Sequence, residues 1–267
     1  IEIKTDEWLY GLEADTVAAN IADGEAKFPA MSHADSLGNM RMLDMWRSEI
    51  GLVYDAEKPE VFTKPVHRRL LAVKADSKMK YGTLPGLDKQ ISRLVMGVDN
   101  QTTFPHAAVI FDDFFERGGN CFDSAHIYGG GKCEKVLGEW IRSRNIRDKV
   151  VILDKGAHTP NCTPEGITGE LMISLGRLKV DHLDIYMMHR GNLEIHVGEF
   201  IDVLNEHVKA GRIKAFGGSN WSIDRVKKAN AYAKRKGLMG FSAVSNNFSL
   251  ARMVKPVWDG CIAASDT

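Results

Sequence analysis

No stretch of this chain is apolar for long enough to cross a bilayer as a helix. Neither sign of charge prevails. The 35 Lys and Arg residues meet 35 Asp and Glu residues, which leaves no global field to draw nucleic acid or an anionic membrane. The four cysteines (Cys121, Cys133, Cys162, Cys261) form no CxxC pair and no metal-ligand spacing. They read as reduced thiols, so no disulfide framework and no bound metal is expected, and the expected compartment is the cytoplasm. The chain opens on Ile1 in place of Met, so a natural leader would be missing from it. Also absent is a GxGxxG motif after the first strand-like run, which argues against an open dinucleotide-binding sheet.

What the chain does have is enough apolar material to bury a core. Of its 267 residues 44% are hydrophobic and 26% charged, in keeping with one large domain or one domain plus a small piece. Residues 1 to about 60 read as two helices, one from about Glu13 to Ala22 and one from about Ala34 to Glu49. The second aligns Leu37, Met40, Leu43, Trp46 and Ile50 on one face, and that stripe needs a partner. From Thr63 to Lys80 the residues Lys64, Arg68, Arg69, Lys74, Lys78 and Lys80 recur with little periodicity. This stretch reads as a solvated linker in preference to a nucleic-acid arm. The expected division is a helical segment at 1–62, a linker at 63–78 and a main domain at 79–267.

From Tyr81 the pattern changes to short β-rich runs alternating with amphipathic stretches, in units of roughly thirty residues. The runs are 93–99, 120–124, 149–155, 183–190, 213–220 and 241–247, with helices starting near Pro105, Lys132, Thr163, Val197 and Ser222. Pro105 and Pro164 suit a first helical turn, and Ser222 suits an N-cap. Repeated alternation of this kind predicts an α/β fold with a parallel sheet, and six such units favour a (β/α)8 TIM barrel.

In such a barrel the chemistry belongs at the C-terminal strand ends. Asp123, Lys155, His189 and the pair Ser219-Asn220 each close an apolar run, and Tyr128 follows in the loop after Asp123. Singly, each has an ordinary reading as a turn residue, a solvent-facing lysine, a bonded core histidine or turn composition. Their recurrence in consecutive units points to one mouth. The set suits carbonyl reduction, because a hydride arriving at carbon leaves charge on oxygen and a proton donor must stand beside it. A phenol is a weak acid near neutrality, with an ordinary pKa of about 10. A nearby ammonium favours the phenolate, and Lys155 is the candidate, held by Asp123. His189 would orient the carbonyl, while Ser219 and Asn220 offer partners for a nicotinamide carboxamide.

The stretches "MKYGTLPGLDKQISRLVMG", "FDSAHIYGGGKCEKVLGE", "ILDKGAH", "SLGRLKVDHLDIYMMHR" and "GRIKAFGGSNW" resemble the aldo-keto reductases, from about Met79 to Thr267. The resemblance implies a TIM barrel, of which about six of the eight units are present here. It further implies NADP(H) as cofactor, an aldehyde or ketone as substrate, and Asp123, Tyr128, Lys155 and His189 as the catalytic tetrad. Ser245 aligns where the family often has a glutamine on the nicotinamide amide. "VDN" at 98–100 stands where the family has an aromatic, which makes Val98 and Asp99 the candidate substrate residues. The chain stops at "GCIAASDT", before the family's seventh and eighth units. The segment "EADTVAANIADGEAKFPAMSHADSLGNMRMLDMWRSEIGLVYDAE" resembles the C-terminal tail of the glucose–fructose oxidoreductase and inositol dehydrogenase family. Together these resemblances imply a fragment of a longer fusion protein, with an oxidoreductase domain on the N-terminal side and a sugar-derived substrate. Two other functions fit parts of the sequence. One is a cofactor-sensing regulatory subunit. The other is a metal-dependent hydrolase using His126, His158 or His189, which lacks an accompanying carboxylate cluster.

Overall fold

The expected alternation of strands and helices is present from Val95 onward, after a short hairpin that starts at Tyr81. The computed structural model describes residues 9–54, 70–249 and 252–264. The chain divides into two units, Ile1–Lys64 and Pro65–Thr267. In the first, α1 spans Leu9–Asn20 and α2 spans His33–Glu49. Helix α1 ends before the expected Ala22 because the chain turns at Asn20, whose carbonyl accepts from Asp23 N at 3.0 Å, and Gly24 adopts a φ of 72°. Helix α2 starts with a reciprocal cap. Ser32 Oγ accepts from Asp35 N at 3.1 Å, and the Asp35 carboxylate accepts from Ser32 N at 3.0 Å. No residue of α2 is buried, and its apolar face stays open, with Trp46 63% exposed.

In the second unit, residues 70–78 of the stretch expected as linker pack against α3 (Phe104–Glu116) and its end. Leu71 is buried, Lys74 N donates to Glu116 O at 2.8 Å, and Ser77 Oγ donates to Arg117 O at 2.7 Å. Lys64, Arg68 and Arg69 lie outside the described residues. Strands β1 (Tyr81–Gly82) and β2 (Ile91–Ser92) form an antiparallel hairpin. Then come β3 (Val95–Gly97), β4 (Cys121–Asp123), β5 (Val151–Gly156), β6 (Leu183–Met188), β7 (Ile213–Ser219) and β8 (Ala243–Ser245). These six pair in parallel and in chain order, curling into a partial barrel. The intervening helices are α3, α4 (Lys132–Arg144), α5 (Pro164–Leu178), α6 (Val197–Lys209) and α7 (Ile223–Lys236). Proline opens α5 as expected, and Ser222 Oγ accepts from Arg225 N at the start of α7.

Strand side chains alternate between two faces, and here each face has its own core. Cys121, Val151, Ile185 and Met187 point into the barrel and pack with Leu84, Leu87 and Ile91 from the hairpin segment. Phe122, Ile152, Tyr186 and Met188 point outward and pack under the helices with Phe111, Trp140 and Leu171. This parity decides where each polar residue at a strand end points. Asp123, Lys155 and His189 continue the inward set. Val98 continues the outward one.

Helix α4 lies so close to the end of α5 that Gly138 has no room for a side chain. A Cβ there would overlap the Leu178 carbonyl, a backbone atom that cannot swing away. Gly138→Ala is expected to cost about 2–3 kcal/mol through overpacking, read as a lower urea midpoint at unchanged slope. An unchanged midpoint would contradict this packing. At the sheet edges, β3 and β8 each pair on one side only among the described residues, leaving Val95 and Val244 about half exposed.

Candidate active site

Strand register sets the site. Asp123 lies level with Leu153, so Lys155 sits two residues further along the adjacent strand, and Lys155 in turn pairs with Met187, two residues before His189. The stagger brings four side chains together from three neighbouring strands and the loops that follow them. Lys155 Nζ donates a short bond to Asp123 Oδ1 and a longer one of 3.4 Å to Tyr128 Oη, and it also reaches Ser124 O at 3.3 Å. The Tyr128 ring meets the His189 ring edge-on at 5.8 Å between centroids. The His158 ring stands against the other side of His189 at 4.9 Å.

Lys155 is nearly buried. Burial pushes its ammonium down, and the Asp123 carboxylate and Tyr128 oxygen more than restore it, so it titrates above its ordinary value. His189 goes the other way. Burial, then the positive charges of Lys155 and Arg190 and the neighbouring His158, lower its pKa to about 3. The imidazole is therefore neutral across the working pH range, and its buried Nδ1 has no partner among the described residues. The sign of the pH effect follows. The unfolded chain protonates this histidine near pH 6.5 and the fold resists until about 3. Its contribution is complete above the first value and is lost as pH falls towards the second. We expect the thermal midpoint to drop as pH falls from about 6.5, and to drop less steeply in His189→Asn. Equal slopes would contradict the assignment. His207 is lowered for the same first reason and adds to the slope in both proteins.

Ser219, Asn220 and Ser245 also meet, at the ends of β7 and β8. Ser219 Oγ donates to Ser245 O at 2.7 Å and accepts from Asn220 Nδ2 at 3.1 Å, and Asn220 Oδ1 accepts from Ile262 N at 3.2 Å. The other two expected residues do not join them. Val98 is fully buried in the outer core because of its strand parity. Asp99 is exposed and accepts from Asn100 N.

Two features went unseen in the sequence. Behind Lys155, Arg177 Nη1 donates to His126 O at 2.8 Å and to Glu134 Oε2 at 2.7 Å, while His126 N donates to Lys155 O at 2.7 Å. The peptide before the Tyr128 loop is thus pinned from both sides. Facing Glu134 is Asp154, whose carboxyl is pushed well above the usual range by burial and by that neighbouring carboxylate. Beside His189, Arg190 lines a separate cavity. Among the described residues no three His, Cys, Asp or Glu side chains are placed to hold a metal ion.

The model of the aldo/keto reductase family matches residues 93–258 of this chain. The chain belongs to the aldo/keto reductase family. It is 29% identical over 193 residues to an aryl-alcohol dehydrogenase of Pestalotiopsis microspora, covering 68% of this chain and 50% of that protein. To a norsolorinic acid reductase of Emericella nidulans it is 32% identical over 165 residues, 57% of this chain and 42% of that one. A thermostable aldo-keto reductase crystallised with the inhibitor epalrestat shares the fold, with a TM-score of 0.55 at 23% identity, over 62% of this chain and 61% of that one. The chain spans about half the length of the curated relatives it matches, and the family match begins inside the second unit.

Proposed function

We propose that this chain carries the carbonyl-binding and proton-transfer site of an NADP(H)-dependent oxidoreductase. The observation that carries the reading is the single ammonium of Lys155, in contact with both the Asp123 carboxylate and the Tyr128 phenol. In the reductive direction Tyr128 Oη gives its proton to the carbonyl oxygen as the C–H bond forms, leaving a phenolate beside Lys155. In the oxidative direction the phenolate takes the alcohol proton back. His189, being neutral, bonds the carbonyl oxygen without competing as an acid, and Asp123 holds Lys155 charged. When bound, NADP(H) supplies or accepts the hydride. The residues fit its carboxamide, which needs one donor and one acceptor, since Ser219, Asn220 and Ser245 gather hydroxyl, amide and carbonyl groups at the adjacent ends of β7 and β8. They would hold it once the Ile262 N–H gives up Asn220 Oδ1.

The substrate on this reading is an aldehyde or ketone. The likeness to an aryl-alcohol dehydrogenase suggests aromatic carbonyls, and the N-terminal likeness to a sugar oxidoreductase tail suggests keto-sugars and a further oxidoreductase domain in the same longer chain. NADPH consumption with panels of both carbonyl types, by the full chain, tests the proposal. Cofactor binding without turnover on any carbonyl would favour the sensing subunit instead. Turnover that needs an added divalent metal and no NADPH would favour the hydrolase.

A further inference from the structure

We propose that the cavity next to the tetrad is an oxyanion subsite, built around Arg190, that receives a carboxylate carried by the substrate. The proposal rests on the preceding reading for the position of the carbonyl, at Tyr128 and His189. Arg190 directly follows His189 and is half-buried. Its Nη1 donates to the His189 carbonyl at 2.8 Å, and its Cζ lies 6.0 Å from the centre of the Trp258 ring. One edge of the guanidinium is thereby tied down, and the aromatic contact steadies its plane. Among the described residues no carboxylate lies within ion-pair distance of it.

The cavity it lines measures about 410 Å³, and Thr159, Asn220, Arg225 and Asp259 share its wall. Thr159, Arg190 and Asn220 belong to the loops after β5, β6 and β7, so the cavity opens on the same rim as the tetrad, and Asn220 borders both. Arg225 is the second cation in the wall. It spends its Nη2 on the carbonyls of Asn192 and Ile195, while its buried Nε has no partner among the described residues. Asp259 is exposed at the rim and within ion-pair distance of neither arginine. The cavity thus presents two guanidiniums against one solvated carboxylate. A half-buried guanidinium with a free edge matches a planar carboxylate two bonds at a time, in a geometry that a neutral ligand cannot reproduce. Charge-assisted bonds of this kind are the stronger ones, so the carboxylate would orient the substrate as well as hold it.

The test is a titration of the full chain, followed by tryptophan fluorescence, because Trp221 lines the proposed subsite and Trp258 stands against Arg190. The matched probes are 4-carboxybenzaldehyde and benzaldehyde, with inorganic phosphate as the third arm. We expect the carboxylate to bind at least about ten-fold more tightly than its neutral counterpart, with the signal diminished in Trp258→Phe. Arg190→Met should erase the preference. Arg190→Lys, which keeps the charge and loses the fork, should retain only part of it, and that variant decides the question should the methionine variant fail to fold. Tyr128→Phe should leave the ratio between the two aldehydes unchanged, so the subsite can be judged even if Tyr128 proves not to be the acid. Equal binding of both aldehydes would overturn the proposal, as would a preference that survives Arg190→Met. Tighter binding of phosphate than of 4-carboxybenzaldehyde would assign the arginine to a phosphate group and overturn the carboxylate.

Discussion

Replacing Tyr128 by phenylalanine is expected to lower turnover by a factor of about 10² or more while leaving NADPH affinity nearly unchanged. The factor is the usual scale for removing a positioned acid. The separation of effects comes from geometry. Tyr128 Oη contacts Lys155, and its ring contacts His189, whereas the groups expected to hold the carboxamide lie on β7 and β8 and bond one another. The substitution removes one oxygen and leaves the ring in place. The check is steady-state turnover beside a fluorescence titration of NADPH on the same preparation. Unaltered turnover would remove Tyr128 from the role of acid.

Lys155→Met should be at least as damaging, for a different reason. The methionine keeps the bulk that fills the barrel mouth and removes the charge that joins Asp123 to Tyr128. Two consequences follow. Asp123, only a quarter exposed, is left without its cation, which costs stability on the order of 1–3 kcal/mol. The phenolate formed during reduction is left without an ammonium, so the rate falls by about 10² or more, and any residual alcohol oxidation rises only at higher pH. The diagnostic is the pH profile beside the melting curve. A variant with lower stability and a wild-type profile would make Lys155 structural and separate it from the chemistry.

How far the sequence reached can be traced to particular residues. The runs at 149–155 and 183–190 match β5 and β6 to within two residues at each end, because buried parallel strands are continuously apolar and have sharp polar ends. The same ends carried Lys155 and His189, which is why those residues could be singled out. The sequence pattern suggests one strand over 93–99, and only Val95–Gly97 pairs as such. Val98, just past that pairing, has no assignable face until the register is known. Glu134 and Arg177 escaped notice because a charged residue on an amphipathic helix looks solvated, and nothing local reveals that it points at another helix. Asp154 did leave a signal. It is an acidic residue inside "VVILDK", one position from Lys155 and so on the opposite face, under the helices. Arg190 left less, since an arginine just past a strand is ordinary loop composition.

The strand order has a consequence for how the site comes into being. Asp123, Tyr128, Lys155 and His189 all belong to β4, β5, β6 and the loops after them, and β3 and β7 flank that group on either side. The Lys155 contacts with Asp123 and Tyr128 therefore join consecutive βα units, and the Tyr128–His189 ring contact reaches only one unit further. Closing such contacts costs little loop entropy compared with joining the two ends of a barrel. The geometry of the proposed site can form early and locally, from the middle of the arc outward, before either edge finds a partner. In hydrogen exchange, the amides of β5 and β6 should open only with the whole second unit, while those of β3 and β8 open separately.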